Sequence, residues 1–239
     1  MGISTEEAYK KYLEGLRKPK KPRTRNPATT TIQGVNLTDY VFMPEHNLYI
    51  AKNRSHQNNN WYDSHKAAHQ EGARMLTIRE FVDFLNLLRS GNVPDGQNNR
   101  LQEREIEGIY KNIVEVRNPY RAEWLDADFK VKDGVLHTNY NHRTIDDELK
   151  PQNSELLEDC LMETKTPGID LEYWLRNSTR QGLPPRNNPD GSLYYWEPLD
   201  DNNSVAGFLA YSVRAYLGCD WGPSDSDAEL GVRFAREKN

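Results

Sequence analysis

Apolar positions recur at helical spacing in the first half of the chain and at strand spacing in the second. "DYVFMPEHNLYIAKN" holds two short apolar runs separated at Pro44, which predicts two strands. "NNWYDSHKAAHQEGARML" sets Trp61, His65, Ala68 and His69 on one helical face, and Gly72 ends that helix. Thr77 followed by Glu80 is a capping box. Ile78, Phe81, Phe84, Leu85 and Leu88 then repeat at helical spacing up to Gly91. A third helix is predicted over "LQEREIEGIYKNIVEV", with Ile106, Ile109, Tyr110 and Ile113 inward. From Pro119 the period drops to two. "YRAEWLDADFKVKDGVLHTNY" reads as a hairpin turning at Asp133-Gly134, "SLYYWEPL" as an aromatic strand and "LGVRFARE" as a half-buried last strand. The polar stretch between that hairpin and "GIDLEYWLRN" reads as loop. Short helices followed by short strands and long loops make the class α+β, with a loop-rich C-terminal half.

Ahead of this, Ser4 and Glu7 cap a short helix over residues 4–16, and "RKPKKPRTRNP" is a basic tether over residues 17–27. The expected organisation is a helix and tether over 1–29 and one domain over 30–239. A solvated linker is the favoured reading of the tether; contact with nucleic acid or an acidic partner stays open. The net charge of −5 argues against a nucleic-acid binder as a whole. With a mean hydropathy of −0.91 no run is long and apolar enough to span a bilayer, and no secretory leader is evident, so cytoplasm is the default location. Assembly into a virion or display at a surface stays open. Cys160 and Cys219 have no metal spacing. His65 and His69 have the i, i+4 spacing of a metal pair, but Lys66 replaces the glutamate of H-E-x-x-H and no third ligand is evident. No metal and no cofactor are expected.

The most patterned segment is "SVAGFLAYSVRAYLGCDWGPSDSDAELGVRFARE". Phe208, Ala210 and Ser212 form one face of a strand, which turns Leu209, Tyr211 and Val213 outward. Arg214-Ala215 resets the alternation, as a bulge or turn would. Leu217 and Cys219 then face inward, and Tyr216, Gly218 and Asp220 outward.

This segment resembles the variable region of diversity-generating retroelement target proteins, ligand-binding proteins with a C-type lectin fold related to formylglycine-generating enzymes. The resemblance rests on Ser204, Val205, Ala206, Phe208, Ala210, Ser212, Arg214, Ala215, Leu217, Cys219, Pro223, Ser226, Leu230, Gly231, Val232 and Arg233, in register. It covers residues from about Thr30 onward, most densely over 204–234. It implies that adenine-directed recopying alters the codons between these fixed residues. Asparagine codons of the form AAY then yield any NNY codon, a set without Lys, Glu, Gln, Met or Trp. Leu209, Tyr211, Val213, Tyr216, Gly218, Asp220, Gly222, Asp225 and Asp227 are compatible with that origin; Trp221 and Gly207 fit an AGG origin, and Glu229 fits no AAY origin and is left out.

The resemblance therefore implies a hypervariable binding face made of those eleven residues, with a macromolecule, a protein in the first instance, as ligand and no catalytic role. Tyr211, Tyr216 and Trp221 are the expected anchors, because rigid aromatics dominate interface hot spots. Asp220, Asp225 and Asp227 form an expected acidic rim suited to a basic ligand. Ser212, Arg214 and Ser226 are expected to satisfy loop backbone, and Arg233 to end in a buried polar network. In lectin-like folds the last strand pairs near the first, here "NLYIAKN". Two alternatives stand beside this reading. A formylglycine-generating-type oxidase would need paired active-site cysteines. A calcium-dependent sugar lectin would need a calcium tripeptide, which "WEPLDDNN" lacks, although Asp200 and Asp201 are acidic.

Overall fold

Two sheets organise the described residues. A computed structural model describes residues 35–157 and 159–238; the helix and tether expected over 1–29 lie outside them. The smaller sheet holds β1 (Tyr40–Met43), β2 (Leu48–Ala51), β3 (Arg74–Met75) and β12 (Phe234–Glu237), in the order β1-β2-β12-β3. The larger sheet runs β6 (Glu148–Leu156), β5 (Val135–Ile145), β4 (Arg121–Lys132), β9 (Ser204–Ala210), β10 (Ala215–Trp221), β8 (Leu193–Trp196), β7 (Lys165–Ile169). A further short strand, β11 (Leu230–Val232), pairs in parallel with Ala122–Trp124 on the edge of β4 that β5 leaves free. Four helices accompany them among the described residues: α1 (Trp61–Gln70), α2 (Ile78–Arg89), α3 (Glu103–Val114) and α4 (Leu171–Asn177). The class is α+β.

Local chemistry explains most elements. α2 starts at the capping box: Thr77 Oγ1 accepts from the Glu80 amide and Glu80 accepts from the Thr77 amide. The same carboxylate holds Arg74 at 2.6 Å, which ties β3 to the helix. Ile106, Ile109 and Ile113 of α3 are buried, and Tyr110 packs half-buried beside them. The β4–β5 hairpin turns at Asp133 and Gly134, both at positive φ, as a two-residue turn matched to strand twist requires.

Two expectations fail. Residues 141–156 are not loop: β5 continues to Ile145, turns at Asp146-Asp147 and returns as β6. This hairpin extension has few apolar side chains because β6 is an edge strand with exposed faces, and Pro151 is tolerated there. Nor is the C-terminal segment a single half-buried strand. It splits into β11 and β12, and Leu230 through Arg236 are all buried. β12 does pair with β2, Ala235 lying opposite Ile50.

The core has two parts. The larger joins β1 and β2 to α2 and α3 and to one face of the central strands, through Phe81, Phe84, Phe129, Trp174 and Phe208. The smaller covers the opposite face with Trp61, Trp124, Leu209, Leu230, Val232 and Phe234. Strand β9 is therefore buried along its whole length.

Candidate functional site

The eleven residues expected to vary lie on β9, β10, the turn between them and the segment up to Asp227. β9 and β10 form an antiparallel hairpin, closed where the Tyr211 amide donates to the Arg214 carbonyl at 2.7 Å. The chain reverses at Ser212-Val213, and Ala215 pairs with Ala210. The alternation is thus reset by a hairpin turn one step before Arg214-Ala215 rather than at it. Ser212 is consequently exposed at the tip instead of facing the core, and so is Val213, at 74%.

Beyond the turn, the division into two faces holds. Ala206, Phe208, Leu217 and Cys219 enter the main core, where Phe208 meets Phe81 at 5.1 Å. On the other face Tyr216 lies opposite Leu209, and Gly218 opposite Gly207. That second face is not open throughout, however. Leu209 is 2% exposed, packed with Ala122, Trp124 and Leu230, and Gly207 and Gly218 are buried too. These three are corrections to an outward placement. The period places a residue on a face; Trp124 and the returning β11 segment cover part of that face. A Cβ at Gly207 would stand 3.6 Å from the Trp124 ring, and one at Gly218 would stand 2.3 Å from Trp221 Nε1.

The aromatics expected as anchors converge. Tyr216 stacks on Trp221 with centroids 6.1 Å apart and meets Trp196 edge-on at 4.6 Å. Trp196 neighbours Tyr194, and the Arg214 guanidinium lies 4.9 Å from the Tyr194 ring centroid. Tyr211, 44% exposed, pairs with Tyr120 at 5.5 Å, and Tyr120 and Tyr216 pack on the same smaller cluster. Sequence reasoning missed Tyr120, Tyr194 and Trp196. The signal for the last two was the aromatic alternation in "SLYYWEPL"; their place became apparent only when β8 paired in parallel with β10, Tyr194 beside Tyr216. Burial pushes the Tyr216 hydroxyl up to about 12, so it is a neutral hydrogen-bonding group at physiological pH.

The acidic residues divide. Asp220 is half-buried, and burial together with the Glu197 and Asp225 charges raises its pKa. Asp225 closes a turn by accepting from the Gly222 amide at 3.1 Å. Asp227 accepts from the Glu229 amide, and the Tyr120 hydroxyl beside it holds its carboxyl below the usual range. Asp225 and Asp227 thus order their own loop. Pro223 is buried and its carbonyl accepts from the Trp61 amide at the start of α1, whereas Ser226 is exposed. Arg233, 1% exposed, forms a two-point ion pair with Glu123 and donates to the carbonyls of Ala51 and Lys52.

Elsewhere, Cys160 and Cys219 are both free and buried, and burial raises both thiols, which disfavours the nucleophilic thiolate. Asp201 accepts from the Asn203 amide in its own exposed turn. His65 and His69 do not act as a pair: His69 contacts Thr144 Oγ1 at 2.8 Å and the His142 carbonyl at 3.1 Å, while His65 turns into the interior toward Asp126. A cleft of about 200 Å³ lies along His46, Thr77, Glu80, Tyr140 and Gln181, and none of the eleven expected residues lines it. No helix among the described residues is long and apolar enough to cross a membrane. No protein-family model, curated protein or solved structure matches this chain.

Proposed function

We propose that this chain is a recognition protein of C-type lectin type whose C-terminal surface is diversified by a retroelement, and that it binds a macromolecular ligand, a protein in the first instance. One observation carries the reading. The fixed positions Ala206, Phe208, Leu217 and Cys219 fill the core on one side of the β9–β10 hairpin, while Tyr216, Gly218, Trp221 and the tip residues Tyr211 and Val213 lie on the other side or beyond it. Replacements at Tyr211, Val213, Tyr216 and Trp221 leave the main core intact, as a diversified surface demands; Gly207, Leu209 and Gly218, buried on the second side, tolerate fewer. The fold part of the proposal is supported by β12 returning beside β2.

The binding face extends past the varied codons. Tyr120, Tyr194, Trp196 and Arg214 border it and are independent of the expected variation. They form a constant rim around variable anchors. The patch is aromatic, and side chains with so few rotatable bonds suit protein recognition at low entropic cost.

The direct test is the DNA flanking the gene. A reverse-transcriptase gene and a near-copy of the 3′ end, differing at adenines in the codons for Leu209, Tyr211, Val213, Tyr216 and their partners, are expected. Differences concentrated in the codons for Phe208, Leu217 or Cys219 would overturn the reading. A display library varied at Tyr211, Val213, Tyr216, Asp220 and Trp221 should yield binders to a panel of proteins; a library that folds but returns none would count against the ligand class.

A further inference from the structure

His65, Asp126 and His142 meet under α1. They come from α1, β4 and β5, and each presents one donor atom within 4.8 Å of the other two. All three are buried, at 0%, 0% and 3% exposure. His65 Nε2 points at Asp126 Oδ1 across 3.6 Å, and His142 Nδ1 contacts the same oxygen at 2.5 Å. Neither ring nitrogen of His65 has a hydrogen-bond partner among the described residues. Asp128 Oδ1, also buried and without a hydrogen bond, lies 3.6 Å from His142 Nε2 on the far side of that ring. Trp61 closes the cluster, with its ring edge-on to both imidazoles at 4.3 Å and 5.0 Å.

A histidine wholly out of water with both nitrogens unmatched is an unsatisfied arrangement, since buried polar groups are otherwise paired. We infer that His65, Asp126 and His142 form a buried site for one divalent transition cation of the zinc class. Two imidazoles and a carboxylate are borderline donors that suit zinc, cobalt, nickel or ferrous iron, whereas calcium and magnesium prefer oxygen ligands. Zinc-to-ligand bonds of about 2.0–2.2 Å place tetrahedral ligands about 3.4 Å apart. The 3.6 Å separation of His65 and Asp126 is near that edge. The His142–Asp126 contact is shorter and opens when the cation replaces the proton held between them, that proton leaving to solvent. Asp128 then accepts from His142 Nε2 and fixes the ring, as carboxylates behind metal-bound histidines do.

The site clips α1 to the β4–β5 hairpin. Because the Trp61 amide at the start of α1 bonds the Pro223 carbonyl, the clip also steadies the segment that carries Gly222 and Asp225. It stands apart from the recognition reading and does not require it.

The test is metal analysis of the full chain purified without a polyhistidine tag. About one equivalent of zinc or a related cation per chain is expected by elemental analysis. Cobalt added to the metal-free chain should produce visible d–d bands, and zinc but not calcium should raise the thermal midpoint. His65→Ala should abolish cobalt binding, whereas His69→Ala should retain it. A folded wild-type chain that carries no metal and gives no cobalt bands would overturn the site, as would undiminished binding in His65→Ala. Should His65→Ala fail to fold, anomalous scattering at the zinc edge from wild-type crystals decides: a peak between His65 and Asp126 supports the site, and none overturns it.

Discussion

Trp221 folds back over Gly218, so close that a methyl group at residue 218 would stand 2.3 Å from the indole nitrogen. Two residues expected to vary independently are therefore coupled in space. With glycine at 218, the indole lies down against Tyr216 and Trp124. A larger side chain must lift it.

Gly218→Val is expected to drive the Trp221 ring into solvent and to destabilise the chain by about 1–3 kcal/mol, as overpacking does. The measurement is tryptophan emission and acrylamide quenching, with Trp221→Phe as reference. A Gly218→Val spectrum equal to wild type would show that the indole does not rest there.

Positions 209 and 213 should behave oppositely although both were expected to vary. Leu209→Ala removes a side chain packed against Trp124 and should cost about 2–5 kcal/mol. Val213→Asp, at the exposed hairpin tip, should change stability by no more than about 0.5 kcal/mol. Urea unfolding of the two variants checks this; similar midpoints would contradict the burial of Leu209.

Glu123→Ala leaves Arg233 charged and buried with only carbonyl partners. Breaking one half of a buried pair costs about 3–5 kcal/mol. Because Arg233 also bonds Ala51 and Lys52, the loss should spread to β2, seen as faster amide exchange at Ile50 and Ala51. A variant as stable as wild type would remove Glu123–Arg233 from the determinants of the fold.

The His46–Asp83 pair, 2.8 Å apart, predicts a pH optimum. The hydrogen bond to Asp83 raises His46 above 6.5, so its contribution is full below that value and fades as pH rises through the raised pKa. Burial opposes ionisation of Asp83, but His46 and Arg79 outweigh it and hold the carboxyl below 3.8. Its contribution is therefore present above that value and lost as pH falls through the lowered pKa. The pair stabilises most between about pH 4 and 6.5. His46→Gln should flatten the fall in thermal midpoint as pH rises above 6.5; an unchanged slope would exclude His46 as its source.

Much of this was legible in the chain. The repeats in α2 and α3, the capping box at Thr77 and the turn at Asp133-Gly134 are short-range chemistry, and short-range chemistry is written in order along the sequence. The sharing of one face by Leu209, Tyr216 and Gly218 was legible for the same reason. The polar β5–β6 extension was not, because an exposed edge strand needs no apolar alternation.

Local pattern was thus enough to say which side chains share a side of the β9–β10 hairpin, but not which of them meet water. That depended on Trp124 and on residues 230–234, which arrive from distant parts of the chain to cover Leu209 and Gly207. The neighbours of Tyr216 depended likewise on β8, which sets Tyr194 and Trp196 beside it, and the meeting of Asp126 and His142 with His65 depended on β4 and β5. Side-chain direction follows from backbone period within a few residues, whereas burial is a property of whatever long-range pairing lays on top.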